Sequence, residues 1–310
     1  MAALAERNTH AEPAIFGIPA SAGVLVQGAT GRIGARHMGL MRAAGSNVVG
    51  GVSPSGRTSE VDGVPVFTSC AEAVGATGAR MSVVMVPPLQ VLPAIEDAVA
   101  AGIDLVVSIT EGVPVADAMR ALALTKEAGV RWVGSSTPGI AIPGVLKLGF
   151  LPDATLSPGP LGVMSKSGTL SYEVSWRLVA AGLGQSSWIG VGGDPVKGTR
   201  FADLLPYFAE DPATRAVIAV GEIGGSEEEE LAAAIRDTGF AKPLYAIIAG
   251  QGAREGISMG HAGALIAGGA GTLASKAEAL QAAGAHVFFT IRELAEAVAG
   301  SPDLRAEAQG

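Results

Sequence analysis

The chain has a single cysteine, Cys70, among 310 residues. One thiol rules out an intramolecular disulfide and fits a reducing compartment, and the thiol itself is read as inert. Aromatic residues are scarce, only 5% of the chain, so the apolar 48% is mostly Ala, Val, Leu and Ile. That composition suits buried parallel strands covered by Ala-rich helices. There is no basic block, and the net charge is −8, which argues against nucleic-acid and anionic-membrane partners. No apolar run approaches the ~18 residues of a membrane span. The start of the chain lacks a basic segment followed by an apolar core, so no secretory signal is read there. Residues 1–20 are expected to be a flexible leader, and the protein is expected in the cytoplasm.

Glycine, by contrast, is in surplus: 44 of 310 residues with no collagen period, which reads as many strand-to-helix turns. Short apolar strands at 24–28, 47–52, 81–86, 105–109 and 131–133 alternate with helical patterns that end at Gly45, Gly102 and Gly129. The stretch 134–160 is rich in Gly and Pro, has weak periodicity, and is taken as a domain junction. The same grammar then restarts. Strands near 162–164, 188–191, 216–220 and 244–249 each run into a polar or Gly-rich exit. Ser226 and Glu229 are read as a capping box for the helix that follows. The expectation is an α/β chain with a Rossmann-like domain over 21–144 and a second doubly wound, flavodoxin-like domain over 145–310.

Gly28-x-x-Gly31-x-x-Gly34 joins the first strand to the first helix, the setting of a phosphate-binding turn. An NAD site needs an acid about 20 residues further on for the ribose hydroxyls. The second strand here ends Val48-Val49-Gly50-Gly51-Val52-Ser53 without one, and Arg57 follows. An arginine suits a ribose phosphate, which NADP and coenzyme A both carry. Ser167-Gly168-Thr169 offers donors at another helix start, either an anion site or an ordinary N-cap. Glu222 lies in a Gly-rich strand exit, while the Glu227–Glu230 run is read as a favourable helix start. His261, between Gly260 and Gly263, has small neighbours that leave its ring open to covalent chemistry; the plainer alternative is a histidine packed in a turn. A carboxylate such as Glu222 could hold that ring in one tautomer. His10, His37 and His286 are read as structural.

Several segments in order carry a resemblance. They are Gln27-Gly28-Ala29-Thr30-Gly31, Val49-Gly50-Gly51-Val52, Ile109-Thr110-Glu111-Gly112, Ser167-Gly168-Thr169-Leu170, Gly192-Gly193-Asp194-Pro195, Gly221-Glu222-Ile223-Gly224-Gly225 and Gly260-His261-Ala262-Gly263-Ala264. From about Ser21 to Gly300 the chain resembles the α subunit of succinyl-CoA synthetase and its relatives among the NDP-forming acyl-CoA ligases. The resemblance implies that the N-terminal domain binds coenzyme A through Thr30, Gly31, Arg32 and Ile33, through Gly56-Arg57, and through Ile109, Thr110 and Glu111. It implies phosphate binding at Ser167, Gly168 and Thr169, a carboxylate substrate near Tyr172, phosphorylation of His261, and Glu222 as the acidic partner of that histidine. No metal is expected on this chain. NTP and Mg2+ are expected on a separate β subunit of ATP-grasp fold, in an αβ or α2β2 assembly. Three positions depart from the family pattern: Ile33 for a Gln, Gly56 for a Lys (with Arg57 adjacent), and Ser136-Thr137 for an Asn-Cys pair. They bear on which acid is used. Two other readings use the same motifs, an NADP-dependent oxidoreductase built on the Gly28–Gly34 turn and a non-catalytic CoA-binding relative.

Overall fold

The computed structural model describes residues 12–250 and 271–305. The described chain opens with a small hairpin, β1 (Ala14–Ile15) and β2 (Ile18–Pro19). Ile15 is fully buried and Ile18 nearly so, burial that contributes about 1.5–3 kcal/mol per side chain. The Phe16 ring lies 5.2 Å from that of Tyr207 and takes the Arg131 guanidinium over its face at 5.0 Å. Residues 12–20 are therefore packed structure and not the flexible leader expected; residues 1–11 lie outside the described residues.

The first sheet comprises β3 (Val24–Gln27), β4 (Val48–Val52), β5 (Glu60–Val61), β6 (Val64–Phe67), β7 (Met81–Val84), β8 (Leu105–Ser108) and β9 (Arg131–Gly134). Its order is β5-β6-β4-β3-β7-β8-β9, parallel except for β5. Without β5 this is the 3-2-1-4-5-6 order of a Rossmann sheet. It is covered by α1 (Arg32–Ala43), α2 (Cys70–Thr77), α3 (Val91–Ala100) and α4 (Val115–Ala128). Every residue of β3, β7 and β8 is buried, as expected of strands with both faces covered. The polar Gln27 is accommodated because its amide donates to Ser82 Oγ (3.0 Å) and to the Ala94 carbonyl (2.9 Å).

The second sheet begins with a hairpin, β10 (Gly139–Ile142) and β11 (Leu146–Gly149), and continues with β12 (Pro158–Ser165), β13 (Gln185–Gly190), β14 (Ala216–Glu222), β15 (Leu244–Ala249) and β16 (His286–Phe288). Its order is β11-β10-β13-β12-β14-β15-β16. The five parallel strands run 2-1-3-4-5, the flavodoxin order. The helices here are α5 (Gly168–Ala180), α6 (Leu205–Glu210), α7 (Glu227–Thr238), α8 (Leu273–Ala282), α9 (Ile291–Gly300) and α10 (Pro302–Arg305). The boundary expected at 144/145 falls in the turn of the β10–β11 hairpin, so this sheet takes up the chain at Gly139.

The halves share one core, in which Val26, Met81 and Val107 of the first sheet belong to the same apolar cluster as Ile140, Met164 and Ile189 of the second. The second half also covers the open edge of the first sheet. Gly198 N–H donates to Gly134 O (3.0 Å) and Thr199 Oγ1 to Trp132 O (2.6 Å), which satisfies the backbone of edge strand β9. A Cβ on Gly198 would lie 2.3 Å from Trp132 O, so only glycine permits that approach. Among the described residues no helix is long and apolar enough to cross a membrane.

Candidate functional site

Open α/β sheets bind ligands beyond the carboxyl ends of their strands, where the strand order reverses. In the first sheet that point lies between β3 and β7. Gly28 leaves β3 at φ +87°, and Gly31 stands in extended conformation at the start of α1. A Cβ on Gly34 would lie 2.1 Å from Gly28 O, so helix and turn touch backbone to backbone. Helix α1 has no side-chain cap and no acid in its first turn. Its first N–H groups and its positive dipole end thus face outward for an anion. Thr30, Gly31, Arg32 and Ile33 are all exposed there. Thr30 Oγ1 donates to Ser53 Oγ (3.2 Å), tying the exit of β4 to the turn. The loop Ser53–Arg57 turns at Gly56 (φ +59°) and leaves Arg57 exposed on this edge. From β8 come Ile109, half-buried against the core, Thr110, whose hydroxyl donates to Val86 O (2.6 Å), and Glu111, exposed. The structure thus brings these nine predicted positions to one edge of one sheet.

The second reversal lies between β12 and β14. From β12 the chain runs through Lys166 to Ser167, which caps α5 by accepting Leu170 N–H at 3.4 Å. Gly168 is half-buried and Thr169 exposed. Tyr172 lies just inside α5, and its hydroxyl is buried without a hydrogen-bond partner among the described residues. The hydroxyl is 3.4 Å from where a Cβ of Gly168 would stand, so it lies beside the helix start. Burial pushes its pKa up to about 12. Across the crevice Glu222 ends β14 with 5% of its surface exposed.

His261 lies outside the described residues. The flanks of its segment meet beside Glu222. Ile223 N–H donates to Ala249 O (3.1 Å) at the end of β15, and Gly224 N–H donates to Gly271 O (2.8 Å) where the described chain resumes.

Sequence reasoning missed a buried ionic network behind this crevice. Lys166 Nζ lies 3.2 Å from Glu228, 3.9 Å from Glu227 and 4.0 Å from Glu222. Lys197 pairs with Glu227 at 2.7 Å and donates to Gly192 O at 2.6 Å. Lys276 of α8, fully buried, pairs with Glu228 and with Glu229 (3.3 Å). Burial works against the Lys166 charge, but Glu228, Glu227 and Glu222 outweigh it and raise its pKa. Burial likewise opposes ionisation of Glu228, and Lys166 and Lys276 bring its carboxyl below the ordinary range. The acidic run was read as a favourable helix start, and it does open α7, but Glu227 and Glu228 are also buried in this network. The capping box also differs. Ser226 caps α7 without a side-chain bond to the backbone, its hydroxyl donating to Glu230 (2.6 Å), while Glu229 accepts from Ser275 (2.9 Å). Lysines at 166, 197 and 276 facing the 227–229 run were the available signal, but their separation along the chain hid it.

The two strand-exit edges meet at residues 135–138. Ser136, at φ +58°, donates its N–H to Thr110 O (3.0 Å) and accepts from Gly193 N–H (3.3 Å). Thr137 Oγ1 donates to Gly190 O (2.6 Å), and the Pro138 ring lies 3.6 Å from the Cβ position of Gly168. A further cavity of about 640 Å³ lies on the opposite edge of the first sheet, among Arg80, Asp104, Arg131 and Arg200. Its cations are largely spoken for, Arg80 by Asp104 (2.6 Å), Arg200 by Glu230 (2.8 Å) and Lys197 by Glu227 (2.7 Å). Among the described residues no cluster of three or more His, Cys, Asp or Glu could hold a metal ion.

A Rossmann half with an open anion turn, joined to a flavodoxin-type half with an acid at its crevice, defines an α/β protein for a phosphate-bearing ligand. The family description "CoA binding domain" matches residues 20–112, and "CoA-ligase" matches 164–286, which narrows the class to CoA ligases. The chain is 45% identical to the succinate–CoA ligase [ADP-forming] subunit alpha of Aquifex aeolicus, over 89% of this chain and 91% of that one. It is 44% identical to the malate–CoA ligase subunit alpha of Methylorubrum extorquens (85% and 90% covered). An ADP-forming sulfoacetate–CoA ligase subunit of Bilophila wadsworthia is 42% identical (85% and 91%). Among solved structures, ATP citrate lyase of Methanosaeta concilii with (3S)-citryl-CoA superposes with a TM-score of 0.80 at 22% identity. That likeness covers 89% of this chain but only 48% of the lyase, and it speaks for the fold alone. The chain belongs to the family of α subunits of NDP-forming acid–CoA ligases.

Proposed function

We propose that this chain is the α subunit of a two-subunit acid–CoA ligase: carboxylic acid + CoA + NTP ⇌ acyl-CoA + NDP + phosphate, with phosphate carried on His261. The observation that carries the proposal is the junction at residues 135–138, where the exits of both sheets are hydrogen-bonded to one short segment. A reaction that passes an activated acyl group to a thiol needs two anion sites within reach of each other. Coenzyme A fits the first crevice through the N–H groups of Thr30, Gly31, Arg32 and Ile33, its ribose phosphate near Gly56-Arg57, and Ile109, Thr110 and Glu111 along its path. The backbone donors of Ser167, Gly168 and Thr169 at the start of α5 suit a phosphoryl group. Tyr172, with its buried hydroxyl, suits the carboxylate substrate.

In this reading the neutral imidazole of His261 attacks the γ-phosphorus of NTP, and NDP leaves. Glu222 holds the ring and favours the cationic state formed on attack. The acid carboxylate then takes the phosphoryl group, restoring the imidazole. The thiolate of CoA attacks the acyl carbon, and inorganic phosphate departs. NTP and Mg2+ belong to a partner β subunit of ATP-grasp fold, in an αβ or α2β2 assembly. Succinate, malate and sulfoacetate are the acids to test first. With the partner co-purified, radiolabelled NTP should give an acid-labile, base-stable label on this chain that is absent from His261→Ala. CoA should bind His261→Ala as it binds the natural chain. Label persisting in that variant, or a base-labile acyl phosphate on the protein, would refute the assignment.

A further inference from the structure

The buried network points beyond the residues assigned above. Lys166 immediately precedes Ser167, and its backbone N–H donates to Val220 O of β14. Its buried side chain reaches carboxylates on β14 and α7. One residue is therefore fastened to both walls, by its backbone beside the start of α5 and by its ammonium among Glu222, Glu227 and Glu228. Glu228 Oε1 completes the frame, since it accepts from Lys166 Nζ (3.2 Å) and from the backbone N–H of Glu222 (3.0 Å). The Glu222 main chain and side chain are thus referred to the same ammonium–carboxylate pair.

We propose that Lys166 is a positioning residue for the phosphoryl transfer: its buried ammonium, clamped by Glu228 and Glu227, fixes the Glu222 carboxylate at the mouth of the crevice between β12 and β14. This rests on the reading of His261 and Glu222 given above. Among the described residues, the other charges facing the cluster are Lys197, against Glu227, and Lys276, against Glu228 and Glu229. When Lys166 is removed, Glu227 and Glu228 retain those lysines, and the ammonium that lay 3.2 Å from Glu228 and 4.0 Å from Glu222 is gone. Three carboxylates then share a buried space with one cation fewer. Glu228, whose carboxyl that ammonium helps to keep below the ordinary range, takes up its proton at higher pH, and the Glu222 carboxylate moves away from its like-charged neighbours.

The test uses the complex with its partner subunit, rapid-quench labelling by radiolabelled NTP from pH 5.5 to 9, and Lys166→Met, Lys166→Arg, Glu222→Gln and His261→Ala. Lys166→Met should slow labelling, by up to about 100-fold for a displacement near 1 Å. The NTP concentration at half-rate should stay unchanged, and the acid limb of the rate should move to higher pH. Lys166→Arg, which keeps the charge, should recover most of the rate. Lys166→Met combined with Glu222→Gln should be little slower than the slower single variant, because both changes act through one carboxylate. Should Lys166→Met not assemble, Lys166→Gln, which keeps a donor without the charge, carries the same expectations. Labelling at the natural rate with an unshifted acid limb, an arginine variant as slow as the methionine one, or fully multiplicative losses in the double variant would each overturn the proposal. Label persisting in His261→Ala would instead overturn the reading on which it rests.

Discussion

Gly34→Ala sets two physical rules against each other within one helix. Alanine is the better helix former, by about 1 kcal/mol, so propensity alone predicts stabilisation. The structure predicts the opposite. The new Cβ would stand 2.1 Å from Gly28 O and 2.8 Å from Gly28 C, both backbone atoms, where ordinary contact begins at 3.4 Å. The turn cannot retreat, because a Cβ position on Gly28 already lies 2.6 Å from Met85 O on its other side. Helix α1 must therefore move out by roughly 1 Å while its buried Met38 and Met41 remain in the core, at a cost of about 1–3 kcal/mol. On the proposed CoA site, the same movement draws the N–H groups of the first turn away from the ligand's phosphates, so CoA affinity should fall roughly tenfold for each 1.4 kcal/mol lost. Gly39 is the control. It lies in the same helix with nothing within 4 Å of its Cβ position, so Gly39→Ala should stabilise by about 0.5–1 kcal/mol and leave CoA binding alone. Urea unfolding and titration calorimetry measure both quantities. If Gly34→Ala were as stable as Gly39→Ala and bound CoA normally, the argument for a steric requirement at Gly34 would fail.

Lys276→Met should destabilise the chain by about 3–5 kcal/mol in urea unfolding, because it leaves Glu228 buried with half its positive neighbours gone, and adding Glu228→Gln should restore part of the loss. The pH dependence follows from the depressed pKa of Glu228. Its contribution is complete above the ordinary glutamate range and is lost as pH falls through and below about 4.3. Tm against pH should therefore fall on the acid side, and in Lys276→Met the fall should begin at higher pH.

What the sequence disclosed and what it hid have separate physical causes. The strand exits were legible because each ends in residues with a local conformational requirement, such as Gly28 at φ +87° or Gly192 at φ +93°. The β10–β11 hairpin was not, because Gly139–Ile142 and Leu146–Gly149 are buried on both faces and show no alternation. The β1–β2 hairpin has arms of two residues, too short for any period. The strand-to-helix turn at Gly28–Gly34 and the acid at the strand exit, Glu222, could be placed from local context. The network that frames Glu222 could not, since a run of four glutamates ahead of an apolar helix reads locally as dipole stabilisation. Only the fold brings lysines at 166, 197 and 276 to it.

Thr137 shows how a departure from family pattern changes meaning once its contacts are known. By the resemblance it stands, with Ser136, where relatives are expected to carry an Asn-Cys pair, and it was expected to bear on acid choice. The two positions separate in the structure. Ser136 is half-exposed at φ +58°, whereas Thr137 is 1% exposed. The Thr137 hydroxyl donates to Gly190 O (2.6 Å) at the end of β13 and accepts Gly139 N–H (3.0 Å) at the start of β10. It is a brace across the junction, and its strength is that of two buried hydrogen bonds. Thr137→Val keeps the shape and leaves both backbone groups unsatisfied, at about 1–3 kcal/mol each. Thr137→Ser should remain near the natural stability. Thr137→Cys keeps only a weak donor and acceptor and should fall between the two. None of the three should reorder the acids the complex accepts, since the side chain does not reach the crevice surface, whereas Ser136→Asn should. A change of acid preference in Thr137→Cys at unchanged Tm would mean that the residue reads substrate after all.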